Sequence, residues 1–396
     1  MNKNEQINEI LTRGVEAVYP SADFLKSRLE KDEKPSLYLG IDPTGPTLHL
    51  GHAIALQKLA QFQRQGCKVT LLMGDFTALI GDPTDKKAAR VQMTKDEVAQ
   101  NMKLYKKQAE VFLDFGGKNP AEIKHNSEWL SKMNFEDVLN LASKMTVSQM
   151  LERDMFETRM REGKPIYLHE FLYPLMQGYD SVAMEVDGEI GGNDQTFNML
   201  VGRNFLKEMK GKEKFVLTLK LLTDKENKKM GKTEGNMLSL EDSAEMMFGK
   251  IMSWEDSMII SGFELCTMLP MDEVKKIHEE MLAGGNPRDA KMRLALEVTK
   301  IYHGEEKAEK AQENFVSAFQ KKEMPDDVPE ICFKDGESLV DILMENKLLK
   351  SKSEWRRLVE EGAVSINGEK ISDLAFKPSG GESIKLGKKK FLRLKS

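Results

Sequence analysis

Short apolar runs separated by longer amphipathic stretches set the reading of this chain. Ser36–Ile41 (SLYLGI) is a brief apolar run with strand character. A turn rich in Pro, Gly and Thr follows over Asp42–Leu48. From His49 to Gln65 the apolar residues Leu50, Ile54, Leu59 and Phe62 fall at helical spacing, and Gly66 marks the stop. Lys68–Met73 (KVTLLM) reads as a second strand. Strand, helix and strand in so short a span predict a βαβ unit, hence a parallel sheet with a right-handed crossover. A second junction of the same kind is expected downstream: a strand at Val182–Val186, a turn at 191–195 (GGNDQ), a helix over Thr196–Met209 and a strand at Phe215–Leu219. Two such halves predict an α/β fold with a doubly wound, Rossmann-like parallel sheet and ligands at the carboxyl edge of its strands. The stretch Asp96–Asp180 reads as mostly helical, and the first residues, MNKNEQINEILTRG, read as a helix.

Beyond this region the pattern changes. Residues 239–319 are helical and charged, without convincing strands, and 320–330 form a proline- and charge-rich linker. A compact α+β module follows over 331–396, with helices at Leu339–Asn346 and Ser353–Glu361 and a hairpin turning at Asn367-Gly368. The expected organisation is therefore a catalytic domain over 1–238, with a helical insertion at about 120–180, then a helical domain over 239–319 and a terminal module.

Composition narrows the setting. The 396 residues are 40% hydrophobic, ample for real cores. No apolar run approaches the ~20 residues of a membrane span, and the first residues lack the apolar stretch of a secretory signal. Cys67, Cys266 and Cys332 are far apart and form no CxxC pair, so neither a zinc knuckle nor a disulfide framework is indicated. A reducing, cytoplasmic location is expected. The net charge is −5, yet residues 331–396 carry 14 Lys and Arg against 10 Asp and Glu. A basic tail on an acidic body fits a polyanion-binding module or a merely solvated tail.

Three clusters bear chemistry. His49-Leu50-Gly51-His52 opens the first crossover helix, where backbone amides attract phosphate and Gly51 lets a nucleotide approach the backbone. Two incidental histidines on a helix remain an equal reading of these four residues, and a metal site lacks a third ligand at suitable spacing. The loop from Lys228 to Gly235 (KKMGKTEG) places Lys228, Lys229 and Lys232 close together, suited to a migrating polyphosphate or simply to solvent. Tyr173, Gln177 and Asp180 share one face of an otherwise apolar helix. Such a buried polar stripe is either an internal network or the wall of a polar ligand's site. Tyr38 and Asp82 end the first two strand regions and can face the same crevice.

His-x-Gly-His after the first strand, with Lys-Met-x-Lys-Ser/Thr after the last, resembles the class I aminoacyl-tRNA synthetases, whose signatures are HIGH and KMSKS. Both are variants here, HLGH and KMGKT. Residues 37–44 (LYLGIDPT), 79–83 (LIGDP), 177–180 (QGYD) and 191–195 (GGNDQ) further resemble the blocks of the tyrosyl-tRNA synthetases, in order and over nearly the whole chain. The resemblance implies a cycle driven by positioning and charge stabilisation, in which ATP activates L-tyrosine for transfer to tRNA(Tyr). It implies that His49 and His52 stabilise the pentacoordinate phosphate and that Lys229, Lys232 and Thr233 hold the leaving pyrophosphate, helped by Lys86 and Arg90. Tyr38 and Asp180 would bond the phenolic hydroxyl. Tyr173, Asp82 and Gln177 would hold the ammonium group, with Thr77 beside them and Gln195 near the carboxylate. Gly40, Asp42, Thr44, Gly51, Gly192, Asp194 and Met230 would lie along ATP or the adenylate. Glu189 receives no role. Magnesium would accompany ATP, with no dedicated metal site and no tightly bound cofactor.

The terminal module, with Lys350, Lys352, Arg356 and Arg357 on its helices and Lys388, Lys389 and Lys390 after its hairpin, resembles the RNA-binding fold first known from a small-subunit ribosomal protein. A homodimer in contact around Met145–Arg161, with one tRNA spanning both subunits, is implied as well. The rivals are a tryptophanyl enzyme, a nucleotidyltransferase with the same histidines, and a non-catalytic RNA-binding protein derived from a synthetase. Tyr38 with Asp180 favours a phenol over an indole, and the paired signatures favour a catalyst.

Overall fold

The computed structural model describes residues 2–82, 93–226, 237–321 and 330–395, without 334, 335, 347, 350, 368, 379, 388 and 389. The chain divides into two compact units, Met1–Glu309 and Lys310–Ser396.

The first unit holds a six-stranded sheet in the order β1-β6-β5-β2-β3-β4. Its strands are β1 (Val15–Tyr19), β2 (Leu37–Ile41), β3 (Val69–Met73), β4 (Glu122–His125), β5 (Gly188–Gly192) and β6 (Phe215–Leu219). β2 pairs in parallel with β3 and β5, β3 with β4, and β5 with β6, while β1 runs antiparallel along β6. The chain winds outward from β2 through β3 to β4, then returns to place β5 on the other side of β2. That reversal makes a topological switch point between β2 and β5, where a doubly wound sheet leaves a crevice. β3 and β6 are buried at every position, the pattern of strands covered on both faces. The Leu50–Arg64 helix makes the first crossover and buries Leu50, Ile54, Leu59 and Phe62, as their spacing requires.

The second junction differs from the expected one. Val182 lies inside the Leu168–Met184 helix, and the strand is Gly188–Gly192 rather than Val182–Val186. The apolar run looks like a strand because it is buried, Val182 to 3% exposure and Val186 to 5%. The true strand is hidden by its glycines, which carry little β propensity. They answer a packing need: a Cβ on Gly188 would stand 2.1 Å from the Phe215 ring. β1 and β4 are also absent from the sequence pattern. Both are half-exposed edge strands, and an edge strand needs no apolar run. Among the described residues the other regular elements of the unit are helices, with Ala244–Met252, Ile259–Cys266, Met271–Leu282 and Pro287–His303 following the sheet.

The second unit has a five-stranded sheet in the order β7-β11-β10-β8-β9, from β7 (Glu330–Cys332), β8 (Val364–Ile366), β9 (Glu369–Lys370), β10 (Ser383–Leu386) and β11 (Lys390–Lys395). The Leu339–Glu345 and Lys352–Glu360 helices belong to it. Leu339, Leu343, Trp355, Val364, Ile384 and Leu392 give it a core of its own. β8 and β9 pair antiparallel as the expected hairpin, with Asn367 at φ 50, while Gly368 lies outside the described residues. Among the described residues no helix is long and apolar enough to cross a membrane.

Candidate functional site

A cleft of about 990 Å³ opens at the carboxyl ends of β2, β5 and β6. At one end stands the start of the Leu50–Arg64 helix. His49 is its cap: the His49 Nδ1 accepts the Gly51 N–H at 3.1 Å, and the His52 Nδ1 accepts the His49 N–H at 3.2 Å. A ring nitrogen that accepts carries no hydrogen, so each neutral imidazole holds its hydrogen on Nε2. The two ring centroids are 3.9 Å apart. Two Nε2–H groups beside helix N-terminal amides suit a polyphosphate.

The other end is a closed polar network. Tyr38 is 1% exposed, and its hydroxyl lies 3.0 Å from Ser181 Oγ. Asp180 is 2% exposed and accepts from Trp129 Nε1 at 2.8 Å and from Asn126 Nδ2 at 3.2 Å. Burial pushes the Asp180 carboxyl well above the usual carboxylate range, with the charges of Glu189 and Asp42 adding, against the two hydrogen bonds. Asp42 is a hub: it accepts from the Tyr173 hydroxyl at 2.8 Å and from the Thr77 hydroxyl at 2.7 Å. Burial, and then the charge of Asp42, raises the Tyr173 phenol. Gln195 Nε2 donates to Asp82 at 2.6 Å, and Gln177 Nε2 to Glu189 at 3.3 Å. The Gln177 carbonyl oxygen is buried without a hydrogen-bond partner among the described residues. A buried acceptor without a partner is costly unless something fills the place.

Tyr38, Gly40, Asp42, Thr44, His49, Gly51, His52, Thr77, Asp82, Tyr173, Gln177, Asp180, Gly192, Asp194 and Gln195 all line this one cleft. Tyr173, Gln177 and Asp180 reach it from the Leu168–Met184 helix, as their spacing requires. Lys86, Arg90, Lys229, Met230, Lys232 and Thr233 lie outside the described residues, as does Lys350. In the second unit, Lys352, Arg356 and Arg357 stand exposed on the Lys352–Glu360 helix. Lys352 meets Asp341 at 3.1 Å.

Sequence reasoning missed Asn126, Trp129, Ser181 and Lys214. Asn126 and Trp129 follow the unrecognised β4. Lys214 precedes β6 and is 0% exposed, but a buried lysine leaves no local signature. Glu189, left without a role, is its partner.

The model of the class I tRNA synthetases (W and Y) matches residues 30–320, and that of the tyrosine–tRNA ligase SYY-like C-terminal domain matches 320–393. The tyrosine–tRNA ligase of Thermotoga maritima is 45% identical, with 100% of this chain and 98% of that protein covered. Tyrosine–tRNA ligase 2 of Vibrio cholerae is 42% identical, with 97% of each covered. Among solved structures, a tyrosyl-tRNA synthetase from Archaeoglobus fulgidus complexed with L-tyrosine superimposes with a TM-score of 0.62 at 25% identity, over 79% of this chain and 100% of that one. A C-terminally truncated mitochondrial tyrosyl-tRNA synthetase of Aspergillus nidulans shares the fold, with a TM-score of 0.67 at 24% identity over 80% and 94%. With this fold, this cleft and these full-length relatives, the chain belongs to the tyrosyl-tRNA synthetases of class I.

Proposed function

We propose that the cleft activates L-tyrosine with ATP and hands it to tRNA(Tyr). A tyrosine carboxylate oxygen attacks the ATP α-phosphorus, and pyrophosphate leaves to give tyrosyl-adenylate. The terminal ribose hydroxyl of the tRNA then attacks the carbonyl carbon, and AMP leaves. The carrying observation is the union in one cleft of a phosphate-directed end, His49 with His52, and a buried phenol-sized polar end, Tyr38 with Asp180.

The resemblance assigns each residue its part, and side-chain chemistry supports the assignment. Asp180, already fixed by Trp129 and Asn126, accepts the substrate's phenolic hydrogen. Tyr173, the Gln177 carbonyl oxygen and Asp82 surround the ammonium group, with Thr77 behind them and Gln195 toward the carboxylate. His49 and His52 donate to the phosphate oxygens as charge builds there, positioning rather than transferring protons. Gly40, Asp42, Thr44, Gly51, Gly192 and Asp194 flank the nucleotide. By resemblance, Lys229, Met230, Lys232 and Thr233, with Lys86 and Arg90, attend the departing pyrophosphate. ATP enters as its magnesium complex. The exposed Lys352, Arg356 and Arg357 contribute phosphate contacts to RNA, which add affinity without reading sequence.

A homodimer is part of this reading. Val147 and Met160 within Met145–Arg161 are 67 and 56% exposed, and Phe135, Leu139 and Leu168 on the flanking helices are 77, 54 and 83% exposed, apolar side chains that a second copy would cover. A cytoplasmic location goes with the same reading.

Pyrophosphate exchange into ATP with each of the twenty amino acids tests the assignment. Exchange with tyrosine alone is expected. Exchange with tryptophan instead would overturn the reading of Tyr38 and Asp180, and none from folded protein would leave only an RNA-binding role.

A further inference from the structure

At the phenol end of the cleft, Glu189 of its lining forms a buried charge pair with Lys214 that neither reaction step uses. Lys214 is 0% exposed and Glu189 2%. The Lys214 ammonium donates to Glu189 Oε2, and to Ser181 Oγ at 2.7 Å. Its nitrogen stands 5.7 Å from the centre of the Tyr38 ring. Gly202 makes the room: a Cβ there would lie 2.7 Å from Ser181 Oγ and 2.9 Å from Lys214 Nζ. Burial pulls the Lys214 pKa down, and Glu189 opposes that. A buried ion pair adds little net stability over apolar residues of similar volume, so its position against Tyr38 invites a functional account.

Hydrogen-bond polarity supplies one. An ammonium group donates and never accepts. Ser181 Oγ, having accepted from Lys214, must send its own hydrogen elsewhere. Among the described residues its other partner is the Tyr38 hydroxyl, at 3.0 Å. The serine oxygen could accept from both neighbours, but its own hydrogen would then lack an acceptor among the described residues. The arrangement that satisfies every group makes the Tyr38 oxygen the acceptor and points the Tyr38 hydrogen away from Ser181. Two acceptors compete for it. One is Glu189, whose carboxylate lies against Tyr38. The other is an oxygen in the cleft. Lys214 weakens the first by neutralising Glu189.

We propose that Lys214 is a specificity-setting positioning residue: through Ser181 and Glu189 it fixes the Tyr38 hydroxyl as a donor to the phenolic oxygen of bound tyrosine. This rests on the reading of the cleft as a tyrosine site. The bound hydroxyl then gives its hydrogen to Asp180 and receives one from Tyr38. A ligand without that oxygen leaves the Tyr38 hydrogen unpaired, a loss that deepens discrimination. Tyrosyl enzymes are themselves a known case of rejecting an analogue that lacks a bonded hydroxyl.

The test is pyrophosphate exchange by the full chain with tyrosine and with phenylalanine, at saturating ATP. The variants are Ser181→Ala, which cuts the relay and leaves the ion pair, and the double variant Glu189→Gln with Lys214→Met, which removes both charges together. For each, loss of one directed hydrogen bond should raise the KM for tyrosine about tenfold with kcat little changed. The kcat/KM for phenylalanine should stay put, so the preference for tyrosine falls by the same factor. Parallel losses for both amino acids, or an unchanged preference in Ser181→Ala, would overturn the proposal. Wild-type chain that fails to exchange with tyrosine at all would instead sink the reading beneath it.

Discussion

Gly74 leaves β3 with Asp42 close against it. A Cβ at that position would lie 1.9 Å from Asp42 Oδ1 and 2.6 Å from Thr77 Oγ1. Both side chains belong to the Asp42 hub, so Gly74→Ala must displace it. Misplacement by about 1 Å in a positioned site costs roughly 10²-fold, and pyrophosphate exchange should drop by that order. Near-normal exchange would show that Asp42 can move without consequence. Lys58 makes a different prediction. It is 4% exposed, donates to the Ile10 carbonyl at 2.8 Å, and is pulled from 10.5 to about 7, chiefly by burial and then by the charge of Arg13. Between those two values the unfolded chain binds more protons, so this site's contribution to stability rises with pH across the interval and is at its most unfavourable below it. Lys58→Met removes that penalty and gives up a hydrogen bond of about 1 kcal/mol. Its denaturation midpoint should exceed wild type at about pH 7, with the gain shrinking toward about pH 10. A difference that does not vary with pH refutes the assignment. What could be read in the sequence at this scale follows the same division. His49, Gly51 and His52 announce themselves because their chemistry is local. Ser181 meets Tyr38 across 143 positions, and no spacing rule joins them.

Elements are held by contacts that periodicity cannot show. Arg13, just past the Lys3–Thr12 helix, is 5% exposed and ties the start of the chain to the end of the Ile259–Cys266 helix. Its guanidinium donates to the carbonyls of Glu264 at 2.9 Å, Leu269 at 2.7 Å, Thr267 at 2.6 Å and Phe263 at 3.2 Å. A cation at a helix C-terminus also suits the dipole there. Arg13→Met strands these carbonyls and should cost about 3 kcal/mol or more in urea unfolding. Arg13→Lys should recover little of it, since one ammonium cannot reproduce the planar fork. Full recovery by lysine would mean that charge alone matters. The strands were legible to the extent that they are buried and apolar. β2, β3 and β6 read correctly for that reason. β5 did not, because Gly188 must clear Phe215 and glycine erases the strand signal, and the edges β1 and β4 carry too little apolar surface to stand out.

The whole chain separates chemistry from one of its attachments. The residues that line the cleft all belong to the unit Met1–Glu309, while the second unit has its own buried core around Leu339, Trp355 and Ile384. Among the described residues, none that lines the cleft comes from the second unit. A chain ended after Lys321 should keep tyrosine-dependent pyrophosphate exchange at close to the full rate. Its charging of tRNA should fall, because the exposed Lys352, Arg356 and Arg357 go with the removed part. Salt separates this from a general loss of activity. Each phosphate contact adds about 0.9 to the slope of log affinity against log salt on duplex nucleic acid, and about 0.7 on single strands. RNA binding by the full chain should therefore weaken more steeply with salt than binding by the shortened one. Equal slopes would mean that these basic side chains do not touch phosphate. A shortened chain that folds yet loses exchange would mean that the cleft needs the second unit after all.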